Sequence, residues 1–250
     1  MDVREAIAKR KSVRAYKDET LPDDVVKEIL EAARRAPSAM NRQEWAFVVI
    51  RDREVKKQIM EAVIQIDSLF YIEEKKLVSG GLPLEVMSRA ISEITGQRIT
   101  VEDIGKQANL KELLHRLLRH EVEQKFKAGL LIAVFKRLRE SLSPSTSGCY
   151  DVGAAIENML LVATSYGYGS LWMGGLSRID AKMDWRPVGE HIRPFFRDRI
   201  GEILHAPADM ELAALVFVGR SAEDKPYLPR KPLEEIAFLD RYGNPWKMSQ

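Results

Sequence analysis

A single domain that mixes helices with a buried sheet is what this 250-residue sequence predicts, and three features predict it. Four apolar runs have the length of strands: 45–50 (WAFVVI), 129–135 (GLLIAVF), 170–173 and 212–218. Between them lie segments whose apolar residues recur at helical spacing. Composition agrees: 45% of residues are hydrophobic and 30% charged, enough to bury one sizeable core, and neither an internal repeat nor a linker divides the chain.

Taken in order, residues 2–10 form a short helix with Val3, Ala6 and Ile7 at helical spacing. Pro22 stands in the first turn of a second helix, where Asp23 and Asp24 suit the positive end of the helix dipole. Its apolar face runs through Val25, Val26, Ile29, Leu30 and Ala33, and Pro37 ends it. A buried strand over 45–50 leads to a helix over 54–66. Residues 70–128 read as a mostly helical insertion, broken at Gly80, Gly81, Pro83 and the Thr95-Gly96 pair. Leu114, Leu117, Leu118, Val122 and Phe126 mark one helix within it. A second buried strand over 129–135 and a loop over 143–148 precede a long helix. That helix carries the stripe Val152, Ala155, Ile156, Met159, Leu160 and Ala163, broad and apolar enough to join a subunit interface. The strands over 170–173 and 212–218 complete the sheet.

Several chemistries are excluded. With 39 basic against 37 acidic residues the net charge is +2, which lacks the basic excess of a general nucleic-acid surface. No apolar run approaches the ~20 residues of a membrane helix. The opening MDVREAIAKRKS lacks the apolar stretch of a signal peptide, and the one cysteine, Cys149, suits a reducing compartment, so a cytoplasmic protein is expected. Gly167 and Gly169 match only the start of a dinucleotide fingerprint, Trp172 occupies the third glycine's place, and the segment precedes a strand where that motif follows one. There is no phosphate-binding P-loop and no nucleophile elbow. His115 and His120 are five apart, so they do not share a helix face as metal ligands would, and no metal is expected. Cys149 reads as a small structural residue.

Four segments carry possible chemistry. Residues 10–14 (RKSVR) place Arg10, Lys11, Ser12 and Arg14 at a helix end, either a solvated charge cluster or a site whose guanidinium forks and hydroxyl match phosphate. Residues 36–45 (APSAMNRQEW) leave a helix, cross a polar turn and enter a strand, either as a plain connection or as a loop around a polar heterocycle. Ser170 to Gly175 form a strand with Trp172 and Met173 that ends in Gly174 and Gly175, where glycine lets backbone approach a ligand. Residues 228–235 (LPRKPLEE) add Arg230 and Lys231 as a distant basic point.

In this order, with 153–158 (GAAIEN) in the long helix, the segments resemble the motifs of the nitroreductase family over residues 1–66 and about 129–236. The resemblance implies an α+β fold in three layers, a central mostly antiparallel sheet flanked by helices, in an interlocked homodimer. It implies FMN in the cleft between subunits, NAD(P)H as a transient reductant, and no catalytic side chain of the protein's own. Hydride would pass from NAD(P)H through FMN to a small electrophilic substrate, nitroaromatic- or quinone-like, by a ping-pong mechanism. Alternatives are a specialised relative (a reductive dehalogenase, a flavin-fragmenting enzyme or a biosynthetic dehydrogenase) and a flavin-binding protein without turnover.

By motif, Arg10, Ser12 and Arg230 would hold the FMN phosphate, with Lys11 and Lys231 beside them. Arg14 would lie at the pyrimidine edge and tune the ring. Pro37, Ser38 and Asn41 would reach the flavin of the other subunit. Trp172 and Met173 would line the site, and Gly174 and Gly175 would offer amides to the ring. Glu44 replaces the family's usual proline, and Lys75 falls where some relatives bind flavin with a lysine.

Overall fold

The computed structural model describes residues 1–69, 88, 92, 98–105, 110–138, 147–174 and 199–246. Lys75 and Gly175 lie outside these residues. Helix α1 (Val3–Lys9) is capped by Asp2, whose carboxylate accepts from the Glu5 amide at 2.9 Å. Helix α2 (Asp23–Arg34) has Pro22 as its N-cap, one position before the expected first turn, with Asp23 and Asp24 opening it. Strand β1 (Trp45–Ile50) and helices α3 (Arg53–Leu69), α4 (Val101–Gly105) and α5 (Leu110–Phe126) follow. Strand β2 (Leu130–Arg137), helix α6 (Ser147–Ser165), strands β3 (Gly169–Met173) and β4 (Met210–Gly219), and the single turn α7 (Leu233–Ile236) complete the order.

The strands make one sheet in the order β1-β2-β4-β3, antiparallel at each junction. Period-two alternation sends neighbouring side chains of the central strands into two separate cores. Leu131, Ala133, Phe135, Leu215 and Phe217 pack with Ile59, Val63, Val122 and Phe126 of α3 and α5. Leu130, Ile132, Val134, Val216 and Val218 pack with Ile29 and Ala33 of α2 and Ile156 and Met159 of α6. Helix, sheet and helix therefore form three layers, as the α+β expectation requires. None of the described helices is long and apolar enough to cross a membrane.

Two expectations need correction. The 45–50 run is half-buried, with Ala46 exposed, because β1 is an edge of the sheet as described and has β2 alone beside it. The apolar stripe of α6 does not face a subunit interface. Val152, Ala155, Ile156, Met159, Leu160 and Ala163 are all buried against the chain's own sheet, since a helix lying on two buried central strands must cover them. The side of α6 turned from the sheet carries Tyr150, Ala154 and Leu161 instead, and Tyr150 is exposed.

Candidate functional site

Helix α1 stops at Arg10, whose backbone turns extended (φ −63°, ψ 124°). The chain then runs between two neighbours. Val13 donates its amide to the Ser170 carbonyl at 2.9 Å on the β3 side, and Ser12 bridges Ser170 in parallel. On the other side Ala222 donates to the Ala15 carbonyl and Lys17 to the Arg220 carbonyl, both at 2.9 Å. Val13 and Tyr16 are the buried anchors. The Tyr16 hydroxyl donates to the Val13 carbonyl at 2.8 Å, and burial pushes its phenol well above the usual tyrosine range. With Val13 turned inward, alternation puts Arg10, Ser12 and Arg14 on the opposite side of this extended segment. Ser12 and Arg14 are exposed, while Arg10 is partly covered, its Nε 3.7 Å from the Glu157 carboxylate of α6. Lys11 points elsewhere: its ammonium donates to the Lys225 carbonyl at 2.7 Å and sits 5.3 Å from the centre of the Tyr227 ring.

Beside this edge lies the end of β3. Trp172, 43% exposed, leans on α6, where a Cβ added to Gly153 would meet its ring at 3.6 Å. A Cβ on Gly174 would come within 2.6 Å of the Trp172 indole nitrogen, so the backbone there passes closer to the ring than any side chain permits. Met173 packs against the core shared with α3 and α5. Ser170 is buried, and its hydroxyl has no hydrogen-bond partner among the described residues. Arg14, Arg230 and Lys231 form no ion pairs among the described residues. The Arg10 and Arg14 guanidinium groups, the Ser12 hydroxyl, an exposed indole and a backbone that accepts close approach fit a phosphomonoester joined to a flat polar ring.

The 37–43 loop stands apart from this group. Ser38 accepts from the Gln43 amide at 3.0 Å, and Ala39 donates to the Asp151 carboxylate at 3.2 Å. Met40, Asn41 and Gln43 adopt left-handed φ values of 55°, 54° and 52°. Three such residues in four positions, none glycine, are costly, and strain of this kind collects at ligand sites. Around α6, at 100° per residue, Asp151 and Asn158 fall within about 20° of each other, roughly 100–160° around the helix from Gly153 and Glu157. Asp151 holds the loop and Asn158 donates to the Ala32 carbonyl of α2 at 3.0 Å, whereas Gly153 faces Trp172 and Glu157 faces Arg10. The helix therefore separates Pro37, Ser38 and Asn41 from the cationic edge within one chain.

Sequence reasoning missed three residues here. Glu223 accepts from the Arg14 amide at 2.7 Å, Tyr227 donates its hydroxyl to the Lys9 carbonyl, and Glu157 pairs with Arg10. The first two act across more than 200 positions of sequence, which no local pattern signals. Glu157 had been visible only as part of the GAAIEN helix.

The model of the nitroreductase family matches residues 7–220. The chain belongs to the nitroreductase family. Membership makes it an oxidoreductase, as the order of its motifs implied. A protein of Thermus thermophilus named NADH dehydrogenase is 29% identical over 95% of this chain and 96% of its own length. Iodotyrosine deiodinase 1 of Sus scrofa is 35% identical over 93% of this chain, which spans only 66% of that longer protein. Among solved structures, the FMN-dependent nitroreductase NfnB of Mycobacterium smegmatis, in complex with NADPH, superposes with a TM-score of 0.63. That match covers 96% of this chain and all of the other at 17% identity, a likeness of fold.

Proposed function

We propose that this protein oxidises NAD(P)H and reduces a small electrophilic acceptor, a nitroaromatic or a quinone, in two half-reactions at one site. The observation that carries the reading is the extended segment after α1, which aligns Arg10, Ser12 and Arg14 along the edge of β3 next to Trp172 and Gly174. When bound, FMN would supply the redox chemistry, a hydride transfer between the nicotinamide and the acceptor.

The protein's own part is to bind, orient and tune. Arg10 and Ser12 hold the phosphate, joined by Arg230, with Lys231 adjacent. Arg14 stands toward the ring, where its positive charge favours the reduced form. Trp172 would bound the ring's pocket, Met173, turned to the other face of the sheet, would offer only its backbone, and by motif the Gly174 and Gly175 amides would serve the ring's polar edge. Pro37, Ser38 and Asn41 face away from their own chain's cationic edge, so they serve the site of a second copy, and the active form is a homodimer. The single cysteine and the balanced charge support a cytoplasmic location.

A second reading rests on the 35% identity to iodotyrosine deiodinase 1. There the acceptor is a halogenated phenol: the carbon–halogen bond breaks, a carbon–hydrogen bond forms, halide leaves, and NAD(P)H is oxidised to NAD(P)⁺. Purified protein assayed with NADH and NADPH against a nitroaromatic, a quinone and iodotyrosine separates the two. Turnover with the first two supports the leading reading, and halide release supports the second. A protein that stays colourless after incubation with FMN and gel filtration overturns both.

A further inference from the structure

The stretch that follows β4 is tied to the cationic edge at three points. The Glu223 carboxylate, well covered by the protein, accepts from the Arg14 amide at 2.7 Å and pairs with Lys225 at 3.0 Å. The Lys11 ammonium donates to the Lys225 carbonyl at 2.7 Å, lies 4.0 Å from Asp224 and rests over the Tyr227 ring. The Tyr227 hydroxyl closes the loop on the Lys9 carbonyl, one residue before Arg10. These ties hold a segment that otherwise buries almost nothing, since residues 224–236 are exposed throughout. The last backbone tie before them is Ala222 to Ala15, and without them no contact among the described residues fixes the chain from there to Arg230.

We infer that Lys11, with Glu223 and Tyr227, forms a clamp that positions Arg230 beside Arg10, and that Lys11 is a positioning residue rather than a phosphate ligand. Chain geometry supports the assignment. Two residues separate Tyr227 from Arg230, a span of at most about 11 Å over three chain steps, so an arginine side chain starting there can reach the surroundings of Arg10. Lys11 is already engaged with a carbonyl and an aromatic face, and turning to a phosphate would break both contacts. The inference rests on Arg230 holding the FMN phosphate.

FMN release on dilution of the holoenzyme, read by recovered flavin fluorescence, tests it in Lys11→Met, Lys11→Arg, Arg230→Ala and the Lys11→Met/Arg230→Ala double variant. Each of Lys11→Met and Arg230→Ala should weaken binding roughly tenfold, the scale of one lost charge-assisted bond. The double variant should bind no worse than Arg230→Ala alone, because the clamp acts only through Arg230. Lys11→Arg keeps a donor and a cation over the ring and should bind FMN nearly as wild type does. Chymotryptic cleavage after Tyr227 should quicken in Lys11→Met and not in Arg230→Ala. Losses that multiply in the double variant, or cleavage unchanged in Lys11→Met, overturn the clamp while leaving Arg230 as a phosphate ligand. FMN binding unaffected by Arg230→Ala overturns the phosphate assignment and the clamp together.

Discussion

Arg10 and Arg14 belong to one five-residue motif, yet their surroundings give them different work. Arg10 is partly covered and already faces the Glu157 carboxylate, whereas Arg14 is exposed, forms no ion pair among the described residues and has its backbone fixed by Glu223. A phosphate carries the same charge in both redox states, so losing Arg10 should loosen oxidised and reduced flavin alike. Charge that develops on the ring appears only on reduction. A guanidinium ~4 Å from such a charge, at an effective dielectric of ~20, contributes about 4 kcal/mol of gross attraction to the reduced form. Arg14→Ala should therefore lower the midpoint potential by tens of millivolts, where ~30 mV is about 1.4 kcal/mol for two electrons. Redox titration of FMN-saturated variants against a reference dye measures this, and an equal shift in Arg10→Ala would show that the two cations are not distinct. Tyr16 gives a second test at this scale. Burial raises its pKa in the folded state, so the folded protein favours the neutral phenol. That contribution is complete below the unfolded value near 10 and is lost as pH rises beyond it. Denaturant titrations from pH 8 to 11 should show stability falling faster at the alkaline end in the native protein than in Tyr16→Phe. At neutral pH the same substitution should cost about 1–2 kcal/mol, because the Val13 carbonyl loses its donor.

Between elements, the contact that decides the site is the seam between the extended 10–16 segment and β3. Its closeness depends on Gly169: a Cβ there would stand 2.6 Å from a Val13 methyl carbon and 3.0 Å from the Val13 Cβ. Gly169→Ala should push the segment off β3 and cost roughly 1–3 kcal/mol, the range for overpacking. Because Ser12 and Arg14 flank Val13, FMN affinity should fall with stability. A thermal melt and a flavin titration report both, and a variant that lost stability yet bound FMN normally would show that the seam does not set the site. The seam also marks where sequence reading ends. The four strand runs and the stripes of α2 and α6 were legible because local periodicity reflects which face is buried. The edge position of β1 was not, since strand order is fixed by pairings such as Val48 with Ala133, far apart in sequence. The stripe on α6 could be read as buried, but what buries it is decided by the two central strands beneath. At the site, Arg10, Ser12 and Arg14 were visible as a motif, and β spacing explains their common side. Glu223 and Tyr227 carry no motif, and their importance exists only once β4 has brought residue 223 beside residue 14.

At the scale of the molecule, two features of a single chain are left without a purpose unless a second copy is present. One is the strained 37–43 loop, held by Asp151 on the side of α6 away from the cationic edge. The other is the segment beyond residue 226, which exposes Leu228, Leu233, Ile236, Leu239 and Tyr242, the last at 93%. A run of that many uncovered large apolar side chains marks an interaction surface. The segment nevertheless keeps a local shape, because Trp246 donates to the Ala237 carbonyl at 2.9 Å and Phe238 lies against Tyr242 with ring centres 4.6 Å apart. An apolar arm with its own turn would find a matching surface on a second copy beside β1, whose outer edge has no strand partner among the described residues and whose Trp45 and Phe47 are half-buried. Homodimerisation would then cover the arm and bring each 37–43 loop to its neighbour's cationic edge in one step. Removing residues 233–250 tests the coupling, because it keeps Arg230 and the Lys11 contacts while deleting most of the apolar arm. Sedimentation at micromolar concentration should find the full chain as a dimer and the shortened chain as a monomer. The shortened chain should also release FMN more readily, since Ser38 and Asn41 of the other copy would no longer reach the site. A shortened chain that remains dimeric and holds FMN as tightly as the full one would place the interface elsewhere and leave the exposed arm without this role.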